Sequence, residues 1–90
     1  VVKLQEQGKL DEAALGYRRI LLVKPDDAPS WLNLGTLLRA QGKYDAALAC
    51  THRAVQLQPQ NPSAFTNYGN GLLAMDKNDE AIAAHERAVD

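Results

Sequence analysis

From Trp31 to Val55 the apolar positions recur every three or four residues, which is the spacing of a helix face and not of a strand. Trp31, Leu34 and Leu38, with Gly35 among them, form one stripe; Ala47, Leu48, Thr51, Ala54 and Val55 form the next. The pattern predicts helices over about 29–41 and 44–58, separated by Gly42 and closed by Pro59. It returns downstream as Phe65, Tyr68, Gly69 and Leu72, then Ala81, Ile82, His85, Ala88 and Val89. Upstream, Ala13, Ala14, Tyr17, Ile20 and Leu21 share a face of a helix expected over about 10–24, with Asp11 and Glu12 in its first turn and Pro25 at its end. Residues 1–7 read as the tail of a further helix, stopped at Gly8 by a left-handed turn. No alternating apolar run argues for a strand, so the fold class is all-α.

These stripes are copies. Gly8, Lys9, Asp11, Ala13, Arg19 and Pro25 recur 34 residues later as Gly42, Lys43, Asp45, Ala47, Arg53 and Pro59. The same shift carries Asn33, Gly35, Leu38, Ala47, Arg53 and Ala54 onto Asn67, Gly69, Leu72, Ala81, Arg87 and Ala88. A fixed period of this size marks a stack of small helical hairpins. Residues 1–27 form a partial first unit, 28–61 a complete one, and 62–90 a third without its closing proline. Asp27 and Asn61, one period apart, suit the N-cap position, with Pro29 and Pro62 in the turns that follow. The small residues Gly35, Ala47 and Ala54, and again Gly69, Ala81 and Ala88, let paired helices approach to roughly 8–9 Å.

Composition narrows the function without naming it. Ten basic side chains against 11 acidic ones leave a net charge of −1, which gives no electrostatic reason to bind nucleic acid or an anionic membrane. The single Cys50 excludes an intrachain disulfide and suits a reducing, cytoplasmic setting. No run of 18 or more apolar residues predicts a membrane span. Ninety residues bury on the order of 60–65% of the surface the unfolded chain exposes, so stability is expected to be modest.

The residues Trp31, Leu34, Gly35, Leu38, Ala47, Ala54 and Pro59 resemble the tetratricopeptide repeat, and the resemblance covers essentially the whole chain. Departures are Thr51 and His85 in a slot usually large and apolar, Asp76 where Gly8 and Gly42 stand, and Val1 where Gly35 and Gly69 stand. The resemblance implies an α-solenoid of stacked antiparallel hairpins, a right-handed superhelix whose first helices line a concave groove that grips an extended peptide. On that inner side stand Asn33, Thr36 and Arg39, then Asn67, Asn70 and Leu73, each set spaced by three residues. Asparagine offers a donor and an acceptor and can hold a peptide amide without reading side chains. Asn33, Thr36, Arg39, Asn67 and Asn70 are therefore the expected peptide-binding residues. Their placement is similar to the asparagine ladder in the repeats of O-linked N-acetylglucosamine transferases, which implies that a glycosyltransferase domain could accompany these repeats. It is unlike the carboxylate-clamp adaptors, because Pro29, Leu32, Ser63 and Thr66 stand where those carry lysine or arginine.

No set of nucleophile, base and orienting group can be assembled, so the expectation is a non-catalytic protein-interaction scaffold with no cofactor and no metal. Cys50 and His52 are two apart on a helix and point away from each other. Gly69-Asn70-Gly71 follows no strand and is not a phosphate loop. Gly71 has no explanation at this level and should cost its helix about 1 kcal/mol. Hairpins of this kind lean on neighbours. The terminal faces, with Leu4 and Tyr17 at one end and Ile82 and Val89 at the other, are expected to be apolar and exposed. The chain is accordingly expected to belong to a longer array or to associate with itself, an architectural alternative to peptide binding.

Overall fold

The computed structural model describes the backbone of residues 2–89 and the side chains of residues 8–88. Five helices follow one another: α1 Val2–Val23, α2 Ala28–Ala40, α3 Tyr44–Leu57, α4 Pro62–Ala74 and α5 Asn78–Val89. Local chemistry fixes their ends. The Asp27 carboxylate accepts hydrogen bonds from the Ser30 amide and hydroxyl at the start of α2, and the Asn61 side chain accepts from the Ser63 amide at 3.0 Å at the start of α4. Each thereby satisfies an amide that the first turn leaves without a helical partner. Beyond α2, Gly42 turns left-handed with φ +78, and the Lys43 amide reaches back to the Leu38 carbonyl at 2.9 Å. Beyond α4, Asp76 makes the same turn with φ 60 and Lys77 bonds Leu72 at 2.8 Å. Aspartate is among the few side chains that adopt this conformation at modest cost.

The segments α2–α3 and α4–α5 form antiparallel hairpins, closed where glycine removes a side chain. A Cβ at Gly35 would lie 2.7 Å from Thr51 Cγ2 and 3.2 Å from the Ala47 carbonyl oxygen; at Gly69 it would lie 2.1 Å from His85 Cδ2. His85 thus lies directly against Gly69, with its Nε2 buried and without a hydrogen-bond partner among the described residues. Leu34, Leu38, Ala47 and Cys50 pack with Ala14 and Leu21 of α1 into one core cluster, flanked by Tyr17, Trp31 and Leu37; Leu72, Ala81 and Ala84 form a second, flanked by Leu48 and Tyr68. The Trp31 indole N–H donates to the Pro25 carbonyl at 2.8 Å, tying α2 to the turn before it.

The stacking sets the curvature. Among the described residues the backbones of α2 and α4 approach each other closely, whereas those of α1 and α3, and of α3 and α5, stay farther apart. Helices in contact on one side and splayed on the other bend the stack, so α2 and α4 line the inner face. The result is the α-solenoid of stacked hairpins expected from the repeat.

One expected boundary is absent. α1 runs through Gly8 without a break, Gly8 has no left-handed φ, and Asp11 and Glu12 lie within the helix and not in its first turn. A reversal at Gly8 would be favoured only if the returning segment buried apolar surface. Continuing the helix instead keeps every carbonyl bonded, at a glycine cost of about 1 kcal/mol. The flank of α1 that a returning helix would cover stays open: Ala13, Gly16 and Ile20 are exposed, while Ala14 and Leu21 face α2. Leu4 and Val89, expected on the end faces, lie outside the described side chains.

Candidate functional site

Three of the five expected peptide-binding residues meet. Thr36 and Arg39 of α2 and Asn67 of α4 line a single concavity between the inner helices, with Gly35, Ala47, Thr51 and Gly71 beneath them. Asn33 stands one turn before Thr36, exposed, and Asn70 one turn after Asn67, half-buried; neither lines the concavity. The difference between Asn33 and Asn67 follows from α1. Asn67 has α2 beside it, whereas residues 2 and 5, one period before Thr36 and Arg39, belong to the uninterrupted α1.

The polar groups around the rim are distinct in what they offer. The Thr36 hydroxyl donates to the Leu32 carbonyl at 3.1 Å, which leaves its lone pairs for an incoming donor. No side-chain hydrogen bond engages Arg39 or Asn67 among the described residues, although both are half-buried. Beneath the rim, the Thr51 hydroxyl is turned away to the Ala47 and Leu48 carbonyls, 3.2 Å from each, and its methyl faces Gly35. The floor is therefore apolar and the rim polar.

A second, larger concavity of about 740 Å³ lies between α1 and α3 on the opposite side of α2, lined by Leu21, Leu22, Trp31, Leu34, Leu38 and Cys50 among others. Sequence reasoning missed it. The signal was Leu34, which stands one period before Tyr68: in the corresponding gap between α3 and α5, Tyr68 packs against His52 with ring centroids 5.6 Å apart. Farther along that gap the Arg87 guanidinium sits 5.1 Å from the centre of the Phe65 ring. Burial pushes the Cys50 thiol above its ordinary pKa, with Arg18 pulling the other way. Burial also raises Tyr68, and the nearby Glu80 adds to the shift. Among the described residues no three His, Cys, Asp or Glu side chains are grouped to hold a metal ion, and no helix is long and apolar enough to cross a membrane.

Stacked hairpins, an inner face built from alternate helices and small residues at each crossing define an all-α solenoid of the tetratricopeptide type. Residues 28–61, which hold α2 and α3, match the model of the tetratricopeptide repeat. The fold is similar to two crystal structures of MamA, with TM-scores of 0.85 and 0.83, 25% identity in each case, and 97% of this chain covered. The match covers 51% and 48% of those chains, so this chain spans about half their length. No curated protein matches the chain.

Proposed function

We propose that this chain is a peptide-binding scaffold that holds an extended segment of a partner protein along the inner face of α2 and α4, through Asn33, Thr36, Arg39, Asn67 and Asn70. The observation that carries this reading is the convergence of Thr36, Arg39 and Asn67 on one concavity, with Arg39 and Asn67 unengaged by any described side-chain hydrogen bond. An extended strand has unpaired amides along both edges, and asparagines placed at the period of the hairpins can meet them at intervals. Selection of a displayed random-peptide library against the chain tests it. Enriched peptides should bind the parent and lose about tenfold in affinity for each asparagine changed to alanine at 33 and 67, as expected for one to two amide hydrogen bonds per side chain. Enriched peptides that bind the Asn33→Ala/Asn67→Ala chain undiminished would overturn the proposal.

A second reading, self-association through the outer faces, is supported by where the exposed apolar residues stand. Leu22 and Val23 of α1 are 85% and 80% exposed, Ile82 of α5 57%. Arg18, Arg19 and Lys24 flank the first pair, and Asp79, Glu80 and Glu86 surround Ile82, so the two ends are complementary in charge. Sedimentation velocity discriminates the readings: association lost in Ile82→Asp but kept in the asparagine variant supports the second.

A further inference from the structure

We propose that the concavity between α2 and α4 selects a segment in which an acidic side chain lies next to a residue no larger than alanine or serine. This rests on the peptide-groove reading above and adds the class of partner. The selectivity arises from two departures from the repeat. Thr51 stands one period from Tyr17 and His85, and Gly71 one period from Leu37. A short side chain at one position and none at the other leave a pit of about 10 Å³ under the rim, lined with Gly35, Ala47, Thr51 and Gly71. A space of that size holds about one water or a methyl group. An aromatic or branched side chain above it would be held off the floor, so the residue over the pit must be small.

Charge supplies the other half. Among the described residues Arg39 is the one charged residue lining the concavity, with no carboxylate among its companions. Arg39 is half-buried as a residue and its stem rises from a helix, so its planar guanidinium can present a donor fork to a carboxylate. Asn67, across the concavity on α4, can donate its amide to the same anion. Thr36, its proton committed to Leu32, can accept from a backbone N–H of the same segment. These preferences fit an extended chain carrying Asp or Glu and then a small residue. They do not fit a basic or bulky one.

Fluorescence anisotropy with labelled extended peptides tests this, using a repeating Ser-Glu-Ala-Gly unit against the same unit with Gln, or Lys, in place of Glu, and with Leu in place of Ala. The parent chain should bind the Glu peptide roughly tenfold or more tighter than the Gln peptide, the gain typical of a charge-assisted pair over a neutral one. The Lys and Leu peptides should be weaker still. Arg39→Gln should erase the difference between Glu and Gln, while Arg53→Gln, the same charge change at an exposed site on α3, should preserve it. Equal binding of the Glu and Gln peptides by the parent overturns this proposal and leaves the groove reading standing. Binding of none of the peptides, with circular dichroism showing a folded chain, overturns this proposal, and the library selection above then decides the groove reading. Discrimination that survives Arg39→Gln places the selectivity elsewhere and overturns the assignment.

Discussion

Replacing glycine by alanine in α2 and in α4 should move stability in opposite directions, although both sites lie within a helix. Alanine gains about 1 kcal/mol over glycine from helix propensity alone. At Gly35 the new Cβ would stand 2.7 Å from Thr51 Cγ2, 3.2 Å from the Ala47 carbonyl oxygen and 3.5 Å from Cys50 Cβ. Two of those three are main chain or Cβ, which cannot swing aside, so α2 and α3 must part. Overpacking of this kind costs about 1–3 kcal/mol; a Cβ at 2.7 Å puts the cost in the upper half of that range, so the net loss for Gly35→Ala after the propensity gain is about 1–2 kcal/mol. At Gly71 the only neighbour within 4 Å is Leu48 Cδ1, at 3.4 Å, an ordinary contact. Gly71→Ala should therefore keep most of the propensity gain, about 0.5–1 kcal/mol. For a domain of this size each kcal/mol shifts the thermal midpoint by roughly 4–8 °C. Thermal unfolding followed by circular dichroism should show Gly35→Ala several degrees below the parent and Gly71→Ala a few degrees above it. Thr51→Ser removes the nearest offending methyl while keeping its two carbonyl bonds, so it should cost less in the Gly35→Ala background than in the parent. A Gly35→Ala chain at least as stable as the parent would refute the close-approach argument, and so would additive behaviour of the pair.

The cap residues and the buried ionisable groups give two further tests. Asp27→Ala should lower stability by about 1 kcal/mol, since Asp27 caps α2 through the Ser30 amide; an unchanged urea midpoint would argue against the cap. Cys50 and Tyr68 both have pKa values raised by burial in the folded chain, so the unfolded chain releases their protons first. Stability from these groups is then present below pH about 8.5, the ordinary pKa of a free thiol, and is lost as pH rises from there through the raised folded values. Urea midpoints should decline above that pH, and Cys50→Ala, which installs the residue found one period later at Ala84, should flatten the first part of the decline. An identical slope in Cys50→Ala would remove the thiol from the account.

The features legible in the sequence are those decided within a few residues. Asp27, Asn61 and Gly42 could be assigned because a cap or a left-handed turn depends on the chain immediately around it. Gly35 and Gly69 could be assigned because each is paired, 12 or 16 positions on, with Ala47 and His85 or their equivalents at a known helical register. Gly8 fails by the same logic turned around: glycine permits a reversal and does not demand one, and the decision rests on whether another surface is there to receive the returning segment. The pit and the outer groove were not legible because each is the space left between two or three helices. Asn33 and Asn67 show the limit most directly. They are the same residue at the same place in the period, yet one is exposed and the other lines a concavity, because only the second has an inner helix of the preceding hairpin beside it.

The explanation of Gly71 lies in a reciprocal exchange of volume. Where α1 meets α2 the small residue is Ala14 on the outer helix, and the large one is Leu37, which packs against the cluster containing Ala14. One period later the sizes are reversed: Leu48 occupies the place of Ala14 and Gly71 that of Leu37, with Leu48 Cδ1 3.4 Å from where a Gly71 side chain would begin. Total volume is roughly kept and its distribution is inverted, the kind of change a packed core tolerates best. A hairpin moved from one position to the other would set Leu48 against Leu37, or Ala14 against Gly71, giving a clash or a void, so the two junctions are not interchangeable and the order of the hairpins is fixed by packing. The same glycine also forms part of the floor of the inner concavity. Its absence of a side chain therefore serves the junction with α3 and shapes the floor of the concavity at once, so under the proposed peptide reading the departures from the repeat, more than the positions that obey it, would set the selectivity of the inner face.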